Sequence, residues 1–242
     1  MRKVILHYHL FKNAGTSLDA AFKENFSEEK GEWVTKEFPN QPAANREQVR
    51  QWILDNPQAK CFSSHTARFP VPIFDDIEVF PVVFIRHPLD RIASAYLFEK
   101  QQQSDSFGAV LAKHTSLKGY IESRLSLHND KQCRNFHCER ISSRTFNKES
   151  SLLDNALETA KTLPFVGVVE NFNKSIAELE KLLGCFGIGD VNLVAREANV
   201  TRKNRSLEEK LERLENDIGP STWSKLKEAN KYDLAFYKIL SK

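Results

Sequence analysis

The sequence predicts an α/β fold in three layers, a central parallel sheet flanked by helices on both faces. Three observations carry that expectation. Apolar runs rich in β-branched and aromatic residues recur at 3–8 (KVILHY), 79–86 (VFPVVFIR) and 165–170 (FVGVVE), with a shorter run at 60–64 (KCFSS). They pass through polar residues into stretches with helical spacing. They read as strands buried along their whole length, and such strands alternating with helices form parallel sheets covered on both sides.

Taken in order, the first strand leads through LFKNAGTSLDAAF (10–22) into a helical pattern. Residues 45–55 (NREQVRQWILD) read as a helix that stops at Asn56-Pro57, because the residue before proline avoids the α region. Residues 88–101 read as a helix with Pro88 in its first turn, where the missing N–H is tolerated. The polar stretch 103–148 is expected to be helical with loops, an elaboration over one edge. A helix is expected at 151–162. The strand at 165–170 passes into NKSIAELEKLLG (173–184), where Ile176, Leu179 and Leu183 mark one face and Gly184 a stop. Residues 206–217 and 221–240 form a charged amphipathic helical pair. No internal repeat interrupts the chain, so one domain spanning 1–242 is expected.

Composition excludes several classes. Hydrophobic residues make up 40% of 242 residues, with 17 Phe, which argues against disorder. No run of 18 apolar residues occurs, so no membrane span is expected. The opening MRKVILHYHLFKN has too short an apolar run for a signal peptide, and a soluble cytoplasmic protein is expected. Cys133 and Cys138 have the wrong spacing for a zinc knuckle, and all four cysteines are expected as free thiols. A net charge of +3 without a dense basic cluster suits anionic small molecules better than nucleic acid.

Only 9 glycines occur, and Gly15 stands in the first strand-to-helix bend, FKNAGTS. There it lets the backbone approach a ligand. The helix that follows offers unpaired N–H groups and a positive dipole end. Thr16 and Ser17 add hydroxyl donors, and Lys12 adds a mobile charge. The set reads as an anion cradle, or more plainly as a Ser/Thr-rich helix start. It is not a Walker loop, in which the lysine follows the last glycine. The second bend, VVFIRHPLDRIASAYLF (82–98), puts Arg86 at a strand end and Ser94 two helical turns along. A guanidinium and a hydroxyl there suit a second phosphate. The plainer alternative pairs Arg86 with Asp90.

Together these motifs resemble those of the sulfotransferases that use 3′-phosphoadenosine 5′-phosphosulfate, in the carbohydrate-type branch that includes the heparan-sulfate uronosyl enzymes. FKNAGTS looks like that family's 5′-phosphosulfate loop, and RHPLDRIASAY like its 3′-phosphate motif. FVGVVENFNKSIAELEKLLG is similar to a later stretch of the branch. Phe11 departs from the proline that usually precedes the lysine. The resemblance implies a P-loop-like fold and sulfuryl transfer to an acceptor hydroxyl, with adenosine 3′,5′-bisphosphate as product and no metal. It implies that Lys12 stabilises the bridging oxygen and that Asn13, Ala14, Gly15, Thr16 and Ser17 hold the 5′ end. Arg86 and Ser94 would hold the 3′ phosphate, and Thr201, Arg202 and Lys203 would close over the nucleotide. It also implies His65, in CFSSHTARFP, as the base, with Ser64 in place of the usual glycine. Gln132 and Arg134, in NDKQCRNF, resemble acceptor-facing residues of the branch.

The remaining histidines divide by position. His7 and His9 lie two apart on one strand face, where a metal pair would need a third ligand that the neighbouring sequence does not offer. The expectation is that one packs in the sheet and His9 lines the site. His87 is expected to support its turn, and His114, His128 and His137 to lie on the surface. A carbohydrate, a glycolipid or a small hydroxylated metabolite is the expected acceptor. A nucleotide kinase is the rival enzyme reading, and it lacks a Walker lysine and a carboxylate at a strand end. A non-catalytic nucleotide-binding module is the other, and the presence of both Lys12 and His65 argues against it.

Overall fold

The computed structural model describes residues 1–142, 150–193 and 205–242. In chain order these form β1 (Arg2–Tyr8), α1 (Gly15–Asn25), β2 (Trp33–Thr35), α2 (Pro42–Asp55), β3 (Cys61–Ser64) and β4 (Ile77–Ile85). Next come α3 (Pro88–Gln101), α4 (Phe107–His114), α5 (Leu117–Ser126), α6 (Phe136–Ile141) and α7 (Leu152–Lys161). The chain ends with β5 (Gly167–Val168), α8 (Phe172–Phe186), α9 (Leu207–Ala229) and α10 (Lys231–Leu240). The chain divides into two compact units. One comprises residues 1–85 and 140–200, the other residues 86–139 and 201–242.

The first unit holds the sheet, five parallel strands in the order β2-β3-β1-β4-β5. β1 is central, with Leu6 opposite both Phe62 of β3 and Pro81 of β4. Successive side chains leave a strand on opposite faces. On one face Ile5, Cys61, Phe80, Val82 and Phe84 meet Leu18, Ala21 and Phe22 of α1 and Ile176, Leu179 and Leu183 of α8. On the other, Phe62 meets Trp52 of α2 edge-on, and Tyr8 stacks on Phe69 with ring centroids 4.0 Å apart. Helices on both faces make this the three-layer α/β arrangement that the apolar runs predict.

Several boundaries differ from the sequence reading, each for a local reason. β2 has only three residues, too few to leave a periodic signal. α2 starts at Pro42, whose ring suits the first helical position. FVGVVE yields a two-residue strand, because β5 meets β4 only at Phe84 and Ile85 before Val169–Asn171 turn into a 3-10 helix.

The second unit is helical. Its core joins Leu89, Ile92 and Tyr96 of α3 to Tyr120 and Ile121 of α5 and to Leu214, Ile218, Trp223 and Leu226 of α9. α9 runs through the expected gap, kinking at Gly219 (φ 78°) before Pro220. The expected helix 221–240 breaks instead at Asn230, a fully buried residue. Its side-chain oxygen accepts from the Asn135 amide (3.1 Å), and its NH2 donates to the carbonyls of Cys133 (2.8 Å) and Leu226 (2.9 Å). His137 is buried, not on the surface. Asp233 of α10 accepts from its amide at 2.8 Å, from its Nδ1 at 3.1 Å and from the Cys138 amide at 2.9 Å. All four cysteines are free thiols, and Cys185 alone is exposed.

Candidate active site

β1 ends at Tyr8, and the chain then winds tightly. The Leu10 amide donates to the Tyr8 carbonyl at 2.8 Å and the Asn13 amide to the Leu10 carbonyl at 3.2 Å. Lys12 (φ 64°) and Ala14 (φ 60°) are both left-handed. That conformation costs a residue with a Cβ about 1–2 kcal/mol. Strain of this kind at two positions of three is typical of a ligand-binding bend. Asn13 is buried, its Nδ2 donating to the Phe11 carbonyl at 3.0 Å. Ala14 caps α1 without a side-chain bond, so the first-turn amides of Gly15 and Thr16 have no acceptor within the helix. Thr16 is exposed and Ser17 half-buried. The donor set here consists of amides, two hydroxyls and the Lys12 ammonium. It contains no acceptor-only group and fits a tetrahedral anion.

Gly15 is not left-handed; sterics explain it. A Cβ there would lie 2.1 Å from Cδ2 and 2.4 Å from Nε2 of His9. His9 is buried beneath the bend, and its amide extends the sheet by donating to the Ser64 carbonyl at 2.9 Å. His7 and His9 leave β1 on the α1 face, as Ile5 does. One turn beyond Gly15, α1 presents Asp19 to them. Its Oδ1 accepts from His7 Nδ1 at 2.7 Å and from the Ser63 hydroxyl at 2.7 Å, and its Oδ2 accepts from His9 Nδ1 at 2.8 Å. A carboxylate can only accept, so both imidazoles carry their proton on Nδ1. Burial pushes Asp19 up, but the two histidines outweigh it and hold the acid well below the usual carboxylate range. Burial lowers His9 despite Asp19, so its imidazole is neutral near pH 7.

The donor atoms of His7, His9 and Asp19 all lie within 4.8 Å of one another, so a third ligand does stand beside the histidine pair. Each imidazole meets its own carboxylate oxygen at hydrogen-bond distance, closer than ligands facing each other across a tetrahedral ion. The geometry is that of a hydrogen-bonded group.

His65 follows β3 directly, and the parallel register that sets Tyr8 beside Ser64 brings it level with His9. Their rings lie 3.8 Å apart between centroids, tilted by 44°. The His65 side chain is exposed on its outer side. Burial against its neighbours and the proximity of His9 lower its pKa, opposed by Glu37 and Asp19. Its backbone is pinned at both ends. The His65 amide donates to Glu37 Oε1 at 3.2 Å, and Arg140 donates to its carbonyl at 2.6 Å. Fully buried Asn45 fixes the next residues through the Thr66 carbonyl (2.9 Å) and the Arg68 amide (3.0 Å). Burial and nearby Arg68 lower Arg140 to about 10, opposed by Glu37.

In the second unit Arg86 pairs with Asp90, its Nε and Nη2 lying 2.7 Å and 2.6 Å from Oδ2. This is the plainer alternative named above, and Asp90 also suits the first turn of α3. His87 is the N-cap of α3 but makes no capping bond; its ring packs edge-on against Tyr237. Burial holds it at about 4. Ser94 is half-buried two turns along. Gln132 is turned to Arg91, which is fully buried, lies over the Phe136 ring and donates to both the backbone and side-chain oxygens of Gln132. Arg134 donates to the Leu125 carbonyl at 2.8 Å. Thr201, Arg202 and Lys203 lie outside the described residues.

The fold therefore gathers the bend at Lys12–Ser17, His9 and His65 at the carboxyl ends of β1 and β3. Sequence reasoning passed over Asp19, Glu37, Asn45 and Arg140, whose places depend on packing. Only Asp19 left a signal, an acid one turn into the helix after two in-phase histidines.

The chain is 35% identical over 249 residues to an uncharacterized protein of Archaeoglobus fulgidus, covering 98% of this chain and 95% of that one. A sequence model of the sulfotransferase family matches residues 1–238, and the chain belongs to that family.

Proposed function

We propose that this sulfotransferase takes its sulfuryl group from 3′-phosphoadenosine 5′-phosphosulfate and delivers it to an acceptor hydroxyl, with His65 as the base. The nucleotide supplies an activated sulfuryl group on a good leaving phosphate. Lys12 would neutralise charge gathering on that leaving oxygen, and the first-turn amides with the Thr16 and Ser17 hydroxyls would hold the 5′ end. Arg86 and Ser94 would bind the 3′ phosphate. The described residues include no helix long and apolar enough to cross a membrane. A cytoplasmic enzyme acting on a carbohydrate, a glycolipid or a small hydroxylated metabolite suits that.

One observation carries the reading: an exposed imidazole of lowered pKa stands beside the ring that lies against the anion-binding bend. Neutral at pH 7, it is able to take a hydroxyl proton. The test is transfer of labelled sulfate to a panel of hydroxyl acceptors by the wild type, Lys12→Ala and His65→Ala. Both variants should lose at least 100-fold in turnover while keeping the wild-type melting temperature within a few degrees. Full activity in either would remove that residue from the mechanism.

A further inference from the structure

We propose that Asp19 and His9 are positioning residues for His65: the carboxylate locks the His9 ring, and the His9 ring in turn orients the His65 imidazole. The inference rests on the reading of His65 as the base. The His65 ring lies against the His9 ring, with centroids 3.8 Å apart. The hydrogen bonds to Glu37 and Arg140 hold only the backbone of His65, not its ring. Orientation of the imidazole therefore falls to His9. That residue is itself unable to turn. Asp19 takes its Nδ1–H at 2.8 Å, and the opposite edge of the ring lies where a Cβ on Gly15 would stand. Asp19 is in turn steadied by the Ser63 hydroxyl and His7. An oriented base needs less reorganisation on reaching its proton, which is the role a third group plays behind an activated imidazole.

The electrostatics follow from the same contacts. The charged and titratable groups facing His65 are His9 at the end of β1, Asp19 from α1 and Glu37 after β2. Arg140 meets its carbonyl, and Arg68 stands next to Arg140. Asp19 favours the protonated imidazole, whereas His9 disfavours it through charge, and its ring lies against the imidazole. Removing one or the other should therefore move His65 in opposite directions.

The experiment is a pH titration of the histidine Cε1–H signals by NMR on the full chain, with the His65 signal identified in His65→Gln. Asp19→Asn keeps the ring but removes the charge, and should lower the His65 midpoint by about half a pH unit. His9→Asn keeps an amide for Asp19 but removes the ring, and should raise the midpoint toward the ordinary value and mix the His65 tautomers. General loosening would move both variants upward, so an upward or null shift in Asp19→Asn overturns the proposal. If Asp19→Asn does not fold, an unchanged midpoint and tautomer in His9→Asn does the same. Should both shifts appear while His65→Ala still transfers sulfate at the wild-type rate, the reading of His65 as base fails instead.

Discussion

The Cβ that Gly15 lacks would stand 2.1 Å from Cδ2 of His9. The glycine of the bend serves to let His9, just beyond the end of β1, press against the loop, and the backbone torsion there is ordinary. Gly15→Ala should therefore push the bend outward. The expected result is at least tenfold weaker binding of adenosine 3′,5′-bisphosphate and a loss of about 1–3 kcal/mol in stability. Adding His9→Ala makes room and should restore part of the stability. Calorimetric binding and urea melts would show this, and wild-type affinity in the single variant would speak against the bend as the nucleotide site.

A base of lowered pKa leaves its mark on the pH profile. As the proposed base, the imidazole of His65 must be neutral to accept a proton, and burial and His9 hold it below 6.5. Turnover should be level through neutral pH and fall on the acid side with a midpoint below 6.5. An acid limb centred above that value would point to a different group.

Arg86 is matched to Asp90 by a planar fork that lysine cannot reproduce. Arg86→Lys should weaken adenosine 3′,5′-bisphosphate about tenfold. It should leave adenosine 5′-phosphosulfate, which has no 3′ phosphate, unaffected. Equal losses for both ligands would place Arg86 away from the 3′ phosphate.

Asp19 links stability to acid pH. Its folded pKa is depressed, so its contribution is present in full above the ordinary carboxylate value of 3.8 and disappears as pH falls below it. The stability difference between wild type and Asp19→Asn should be largest near pH 7 and shrink below about pH 4. Chemical denaturation at several pH values measures it, and a pH-independent difference would contradict the ionised pairing.

Asn230 ties α9 and α10 to the segment that leads into α6. Asn230→Ala would strand the half-buried amide of Asn135 and the buried carbonyl of Cys133. A cost of about 2–4 kcal/mol is expected, since each buried group left unpaired costs about 1–3. Urea melts followed by tryptophan fluorescence, with Trp223 in the adjoining core, would report it.

Local pattern was enough for much of this molecule. The helix at 88–101 lies where Pro88 and the spacing predict, and the runs at 3–8 and 60–64 are neighbouring strands of a parallel sheet. The bend between β1 and α1 was legible too, because glycine, hydroxyls and lysine at a strand end stand out by their identity alone. Asp19 was not. Ser63 meets it from 44 residues away, and although His7 and His9 lie only 12 and 10 residues before it, they reach it through the packing of β1 against α1, which spacing alone does not specify. His137 likewise went inward because Asp233, 96 residues on, pairs with it. Periodicity and propensity depend on near neighbours, so the sequence by itself determined most of the strands and helices and where the first strand-to-helix bend falls. Which imidazole is held, by what and in which tautomer depends on contacts between distant segments, and only the packed tertiary structure decided that.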